Sequence, residues 1–191
     1  KWAMSLELEE LSFTTPSGDA ILHSITTSAQ PGELIALMGP SGAGKTTLLD
    51  AIAARRPTSG FSGKVYFSGK ERSWSGMSRS MAQFRDQSAY MLQTAETFSV
   101  SLTVRENLAY AAMLRLPNTW PTTERLQRME ELLDTLDLRG RKDVVVGAAT
   151  GGGISGGQKR KLALGIELMG LPPLVLLDEP TSGLDATSSV E

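Results

Sequence analysis

One segment of the chain combines glycines, a lysine and a threonine in a spacing that suits phosphate binding. Residues 39–46 read GPSGAGKT and match the pattern G-x-x-x-x-G-K-[ST], with an apolar run before them and a helical pattern after them. Glycines let successive backbone N–H groups turn toward a phosphate, and the start of the next helix adds its positive dipole end. Lys45 can then reach the β and γ oxygens of a nucleotide, and the Thr46 hydroxyl can ligate Mg2+. The residues predicted to bind phosphate are Gly39, Pro40, Ser41, Gly42, Ala43, Gly44, Lys45, Thr46 and Thr47.

Two adjacent carboxylates follow an apolar run later in the chain. Residues 174–179 read LVLLDE, and successive residues of a strand point to opposite sides. Asp178 can therefore face a metal ion while Glu179 addresses a water molecule in line with the γ-phosphate. By itself the pair is equally compatible with a strand end that meets solvent. The phosphate-binding segment in the same chain favours the interpretation as a metal ligand and a general base.

A second glycine-rich segment also precedes a helical pattern. Residues 154–158 read ISGGQ, and a glycine-rich helix start is a potential anion site. A nucleotide's phosphates already occupy the first such site. We therefore expect a head-to-tail dimer, in which Ser155, Gly156 and Gly157 of one chain close on the γ-phosphate held by the other.

Apolar patterning predicts the strands that position these segments. Residues 6–13 and 65–67 alternate between apolar and polar and are typical of half-exposed antiparallel strands. Residues 33–38 and 174–177 lack alternation, which is typical of strands buried on both faces of a parallel sheet. The chain is therefore predicted to have an α/β core.

Helical signals fill the stretch between the two predicted core strands. Thr103 and Glu106 form a potential capping box, which opens a helix that Pro117 closes. A second helix carries apolar residues on one face and ends at Gly140, and a third runs from Ser155 to Gly170. The apolar face of the second helix consists of Leu126, Met129, Leu133 and Leu136. We predict three regions: an antiparallel β subdomain with the first part of the core (1–93), an α-helical subdomain (94–165), and the remaining core (166–191).

Composition excludes several classes of protein. The chain has 191 residues, 40% of them hydrophobic, a formal charge of −2 and no cysteine. These values exclude a disordered chain, a global basic field for nucleic acid, disulfides and thiolate metal sites. The most apolar stretch, 162–177, is interrupted by Glu167, Pro172 and Pro173 and is not a bilayer span. The chain begins at Lys1 without a signal-peptide pattern, and we expect it to be a piece of a longer protein.

Five segments together resemble a known family. They lie at residues 39–47 (GPSGAGKTT), Gln93, 154–158 (ISGGQ), 174–179 (LVLLDE) and 182–185 (SGLD). In this order they resemble the Walker A, Q-loop, signature, Walker B and D-loop motifs of an ATP-binding cassette protein. The longer segments around them, LTVRENL, GISGGQKRK and DEPTSGLD, are similar to the G subfamily of exporters, in which the cassette precedes the membrane domain.

The resemblance implies a fold and an activity. The fold would be a P-loop NTPase (RecA-like) core with an antiparallel β subdomain and an inserted α-helical subdomain. The activity would be hydrolysis of ATP with Mg2+ to drive an exporter, with the cassette on the cytoplasmic face of a membrane. The implied partners are a second cassette, identical or different, and a transmembrane domain encoded C-terminally in the same polypeptide. No nucleic acid partner is expected.

The resemblance also implies roles for single residues. Gln93 would contact Mg2+ and the attacking water, so that the metal site comprises Thr46, Gln93 and Asp178. Gln158 belongs to the signature motif, and Asp185 would contact the opposite subunit near its phosphate loop. Glu179, Gln93 and Lys45 would be the catalytic residues.

Three positions depart from the family pattern. Thr15 stands where cassettes usually place an adenine-stacking aromatic, so that stacking would be weak or would come from Phe13 or elsewhere. Thr94 and Ala95 follow Gln93, where an acidic residue is common. The only histidine is His23, which we interpret as structural, whereas the family's switch histidine lies beyond the D-loop. We therefore expect this chain to bind Mg-ATP and to hydrolyse it poorly.

Two alternative functions remain open. One is a soluble cassette acting on chromosomes or ribosomes, although the chain has neither sustained heptads nor a second cassette. The other is a regulatory module that binds nucleotide without turnover. The basic clusters 139–142 and 159–161 are interpreted as solvated helix ends, although Arg160 could also face a membrane domain or lipid headgroups.

Overall fold

A computed structural model describes residues 4–55, 59–72, 88–91, 97–147 and 152–180. The chain divides into two compact units. One comprises Lys1–Tyr90 and Pro173–Asp178, and the other comprises Met91–Pro172 and Glu179–Glu191. The three predicted regions, with boundaries at residues 93 and 165, stay a prediction.

The first unit contains a four-stranded antiparallel sheet. Its strands are β1 (Leu6–Thr14), β2 (Ala20–Ala29), β3 (Phe61–Phe67) and β4 (Lys70–Glu71), in the order β2-β1-β3-β4. The alternating pattern buries one face, so that Leu8, Leu11 and Val65 are at most 1% exposed. The prediction of antiparallel strands in these two regions is confirmed.

A glycine lets β3 pass close to a bulge in β1. Gly63 has a φ of +87°, and a Cβ there would lie 2.4 Å from the carbonyl oxygen of Glu10. A register shift between Glu9 and Ser12 marks the bulge in the β1–β3 pairing. A residue with a side chain at position 63 would therefore push the two strands apart.

The elements that carry the candidate site are a short helix and a small sheet. Helix α1 spans Lys45–Ile52, and strands β5 (Ser88–Met91) and β6 (Leu174–Leu177) form a two-stranded sheet. Ala54, just after α1, is buried and packs against Met4, Phe67 and Leu174. The predicted strand at 174–177 is confirmed, but the expectation that it is buried on both faces is wrong, because Val175 is 37% exposed.

The predicted strand at residues 33–38 is absent. This segment lies outside any helix or strand, and Leu34 and Met38 are 96% and 92% exposed. A strand exists only where a neighbouring chain supplies hydrogen-bond partners, and no described strand pairs with this segment. The expectation that it is buried on both faces is therefore wrong for this structure, because apolar composition alone does not supply a partner.

The second unit is helical. It contains α2 (Val104–Arg115), α3 (Thr122–Thr135), a 3-10 turn (Arg139–Arg141) and α4 (Gly156–Leu168). Leu108, Leu133, Leu138 and Leu162 are fully buried in its core. All three predicted helices are confirmed, but Leu126 is 50% exposed. Met129 and Leu133 are buried as predicted, together with Leu132, and Leu136 is buried just after the last residue of α3.

A charged pair ties α2 to α4 inside this unit. The guanidinium of Arg115 donates two hydrogen bonds to the carboxylate of Glu167, at 3.0 and 2.7 Å. The Glu167 side chain is 8% exposed, so the pair compensates a nearly buried carboxylate. No helix in the described part of the chain is long and apolar enough to cross a membrane.

Candidate functional site

The glycine-rich segment leads directly into α1. Gly44 is the N-cap residue, with a φ of +86°, and no side chain caps the helix. A Cβ at Gly44 would lie 3.0 Å from Leu22 Cδ2 and 3.1 Å from Ile21 Cγ2 of strand β2. The first turn of α1 carries no acidic residue. Its N–H groups and positive dipole end are therefore available to an anion.

Lys45 lies over this loop. Its Nζ donates hydrogen bonds to the carbonyl oxygens of Gly39 and Pro40, both at 2.8 Å. Ser41, Gly42 and Ala43 are exposed. The structure thus places a cation beside exposed loop residues, which is the arrangement that phosphate binding requires.

The loop and the end of β6 meet at one hydrogen bond. Thr46 Oγ1 donates to Asp178 Oδ1 at 3.1 Å, and Asp178 is 5% exposed. Two predicted metal-binding side chains are therefore adjacent, although they lie 132 residues apart in sequence. Hydroxyl and carboxylate oxygens suit Mg2+, which usually keeps several waters and takes only one or two carboxylates together with substrate phosphates. The described residues contain no group of three or more His, Cys, Asp or Glu side chains suited to a metal.

Sequence reasoning missed a contact between α1 and β5. The Tyr90 hydroxyl donates to Asp50 Oδ1 at 2.9 Å, and the Arg55 guanidinium lies 4.6 Å from the centroid of the Tyr90 ring. Burial, together with the bond to Asp50, raises the pKa of Tyr90. The contact fixes α1 against the small sheet. Its partners lie 40 residues apart, and no local pattern links them.

Glu179 has an unusual backbone conformation. Its φ is +47°, and it is followed by Pro180. Its carbonyl oxygen accepts a hydrogen bond of 2.9 Å from Arg160 Nη1, and the carbonyl of Pro180 accepts one of 3.3 Å. Arg160 is half-buried, so the interpretation of this residue as part of a solvated helix end is wrong.

The second glycine-rich segment begins α4 as predicted. Ser155 Oγ accepts from the backbone N–H of Gln158 at 3.2 Å, and Gln158 Oε1 accepts from the N–H of Ser155 at 3.0 Å. Ile154 is buried, whereas Ser155 and Gly156 are exposed and Gly157 is half-exposed. The Ser155 hydroxyl uses a lone pair in this box and keeps its hydrogen for another partner.

Of four other residues considered in the sequence analysis, the structure describes two. Gln93 and Asp185 lie outside the described residues. The Thr47 side chain is buried. Thr15 Oγ1 accepts from the N–H of Asp19 in the turn between β1 and β2.

Neither Phe13 nor His23 contributes to the described part of the site. The Phe13 ring is buried and stacks on Phe61 at a centroid distance of 4.3 Å. It is therefore not free to stack on a nucleotide base. His23 is exposed on strand β2.

Comparisons with known proteins identify the family to which this sequence is similar. The family model described as "ABC transporter" matches residues 22–182. ABC transporter G family member 18 of Arabidopsis thaliana is 39% identical over 92% of this chain and 24% of its own length. ABC transporter G family member 22 of Dictyostelium discoideum is 39% identical over 89% of this chain and 27% of its own length. The chain thus spans about a quarter of the length of these relatives.

A solved structure shares the fold. It is cbiO1 of Clostridium perfringens, described as part of the ABC transporter complex cbiONQ. The TM-score is 0.81 at 26% identity, and the match covers 97% of this chain and 69% of that chain. The predicted P-loop NTPase fold is therefore confirmed.

Proposed function

The chain belongs to the ABC transporter family, and we propose that it is the cassette that binds and hydrolyses Mg-ATP to drive a membrane exporter. The observation that carries this proposal is the 3.1 Å hydrogen bond between Thr46 and Asp178. It brings the hydroxyl that follows the phosphate loop to the carboxylate at the end of β6. A nucleotide-binding core needs this juxtaposition and a structural glycine turn does not.

Binding of the triphosphate falls to the loop and Lys45. Two carbonyl oxygens hold the ammonium of Lys45 at the loop, from which a flexible four-carbon stem can carry it to the β and γ oxygens. The uncapped N–H groups at the start of α1 would donate to the same phosphates. The chain's own groups then neutralise charge that builds up during phosphoryl transfer.

Thr46 and Asp178 would hold Mg2+ together with Gln93. When bound, the ion would neutralise negative charge on the phosphate groups of the nucleotide. Because Asp178 is nearly buried, its carboxylate has few solvent partners that compete for the same oxygen. Its orientation toward Thr46 supports the assignment of both side chains to the metal site.

Glu179 would act as the general base. Its carboxylate would orient and deprotonate the attacking water, with Gln93 helping to position that water. Glu179 is exposed, which is compatible with contact between its carboxylate and a water molecule at the γ-phosphate. The proton leaves the water as its oxygen attacks the γ-phosphorus and the bond to ADP breaks.

The cassette would work as a dimer on a membrane. Ser155, Gly156 and Gly157 would close on the γ-phosphate of the opposite chain, and the exposure of Ser155 and Gly156 supports this. Asp185 would contact the opposite subunit. The relatives are named as ABC transporters of the G family, which supports a transmembrane partner and a location on the cytoplasmic face.

The test is substitution of the general base in the full-length protein. Glu179→Gln should keep ATP binding while hydrolysis falls by at least about 100-fold, because a general base contributes roughly 10²- to 10⁴-fold. Glu7→Gln removes a carboxylate from an exposed position of β1 and serves as the matched control. Undiminished turnover in Glu179→Gln contradicts the assignment of the base. If the wild-type protein binds ATP and dimerises but does not hydrolyse ATP, the regulatory module is favoured instead.

A further inference from the structure

Helix α4 contributes a cation to the segment that carries the general base. Arg160 lies in the second turn of α4, and its Nη1 donates to the carbonyl oxygens of Glu179 and Pro180 at 2.9 and 3.3 Å. The guanidinium is permanently charged and rigid, so these bonds hold both carbonyls in one orientation. Arg160 therefore contacts the backbone of the residue that we propose as the general base.

The backbone at Glu179 needs such support. Its φ of +47° lies in the left-handed region, which a residue with a Cβ rarely occupies. The next residue is Pro180, which restricts the conformation of the residue before it and offers no N–H of its own. Residues held in sparsely populated conformations persist only where their surroundings fix them. In the described part of the chain, Arg160 donates a hydrogen bond to each of these two carbonyls.

We propose that Arg160 is a positioning residue for ATP hydrolysis, which holds the Glu179 backbone in the conformation that aims its carboxylate at the attacking water. This inference rests on the proposed function, in which Glu179 is the general base. The direction of the Glu179 side chain follows from its Cα–Cβ bond, and a change of φ to the usual negative range would turn that bond away. Loss of Arg160 therefore misplaces the base without removing it.

The same contact links two parts of the catalytic cycle. Ser155 caps α4 and Arg160 lies five positions further along the same continuous helix. If this helix moves as one element, a shift of its start would displace the Arg160 guanidinium. Closure of Ser155 on the γ-phosphate of the opposite chain would then displace the Glu179 peptide, to which Arg160 is hydrogen-bonded.

The test compares three variants in the full-length protein. Arg160→Met removes the hydrogen-bond donor. Arg160→Lys keeps a positive charge and a donor but replaces the guanidinium by the smaller ammonium group. Lys159→Met removes the neighbouring charge and serves as the control. We expect Arg160→Met to lower kcat by between about 10- and 100-fold, because small misplacements of reacting groups cost up to that much. The Kd for ATP should stay within about two-fold of wild type, since the carbonyl oxygens of Glu179 and Pro180 that Arg160 binds belong to no predicted phosphate ligand. Arg160→Lys should recover part of kcat, and Lys159→Met should match the wild type.

A double mutant separates positioning from a merely structural role. If Arg160 acts through Glu179, Arg160→Met should cause no further loss of the residual hydrolysis in a Glu179→Gln background. Additive losses would overturn the proposal, and so would a kcat of Arg160→Met equal to that of Lys159→Met or a parallel rise in the Kd for ATP. If Arg160→Met does not fold, a wild-type kcat in Arg160→Lys overturns the proposal. If the wild-type protein does not hydrolyse ATP, or if Glu179→Gln leaves hydrolysis unchanged, the proposed function itself is overturned. This result is distinguishable from failure of the Arg160 proposal alone.

Discussion

Two helices of this molecule begin after glycine-rich segments, and they satisfy their first N–H groups differently. Helix α1 begins after Gly44 with no side-chain cap. Helix α4 begins at Ser155 with a complete capping box to Gln158. The first helix start therefore has no side-chain partner for its N–H groups and is open to an anion, while two N–H groups at the second start are bound by the side chains of Ser155 and Gln158. This difference favours α1 as the primary phosphate site and is compatible with our proposal that α4 closes on a phosphate held by the opposite chain.

The largest expected effect comes from removing the cation at the α1 site. Lys45→Met should weaken ATP binding by between about 10- and 150-fold, because a hydrogen bond to a charged group contributes about 1.5–3 kcal/mol. Hydrolysis should fall at least as far. Isothermal titration with Mg-ATP measures the change. Lys70→Met, which removes an exposed lysine of β4 in the same unit, should bind like the wild type, and equal loss in both variants would contradict a specific role for Lys45.

Substitution by alanine should reduce the free energy of unfolding more at Gly44 than at Gly156. Gly44→Ala forces a Cβ into a left-handed conformation at 3.0 Å from Leu22, and we expect a loss of about 1–2 kcal/mol of unfolding free energy. Gly156→Ala has no atom within 4 Å of the added Cβ and should leave the unfolding free energy within about 1 kcal/mol of wild type. Urea unfolding measures both.

Gly156→Ala should also affect dimerisation. Gly156→Ala should reduce ATP-dependent dimerisation in sedimentation experiments, because the added methyl lies on the surface that we propose to close on a phosphate. Normal dimerisation of this variant would remove the reason to assign α4 to the interface. A stable Gly44→Ala protein would show that the α1 loop tolerates a side chain where the structure has left-handed glycine.

A comparison of two capping boxes separates stability from function. Ser155→Ala and Thr103→Ala each remove an N-cap, and each should cost about 1 kcal/mol of unfolding free energy. Only Ser155→Ala should also lower hydrolysis, since Thr103 lies at the start of α2 and has no predicted contact with nucleotide. Thermal unfolding and ATPase assays on the two proteins provide the measurements. Equal activity of the two variants would contradict the proposed contact of Ser155.

The smallest effect concerns pH. Backbone and side-chain hydrogen bonds from Thr103 lower the pKa of Glu106 below its usual value of 4.5. A carboxyl with a lowered folded-state pKa stabilises the folded state above its unfolded pKa, and this stabilisation is lost as the pH falls through the folded value. The box of α4 uses Gln158, which does not titrate. The protection factor for amide exchange at the start of α2 should therefore fall below pH 4.5 more than that at the start of α4, and Glu106→Gln should remove that difference.

Much of the fold and of the candidate site could be predicted from sequence. The capping box at Thr103, the helix start at Ser155, the loop at 39–46 and the strand before Asp178 were predicted correctly, because their signals lie within a few residues of each other. The prediction of a strand at 33–38 was wrong in this structure. An apolar run shows that a segment would gain from burial, but strand formation also needs a neighbouring strand in register.

The long-range contacts could not be read from any local pattern. Arg160 was interpreted as solvated because its neighbours are lysines, yet its guanidinium binds carbonyls of residues 19 and 20 positions away. The contact between Asp50 and Tyr90 was likewise not predicted. Both depend on which elements the chain brings together.

The sequence by itself determined where helices begin, which loop can turn its N–H groups toward a phosphate, and which side chains carry charge. Those properties depend on backbone conformation and hydrogen bonds across three or four residues. Only the tertiary structure decided that Thr46 meets Asp178 and that Arg160 holds the peptide of Glu179. Such contacts join groups that are distant along the chain, and their formation depends on the packing of whole elements rather than on local residue preferences.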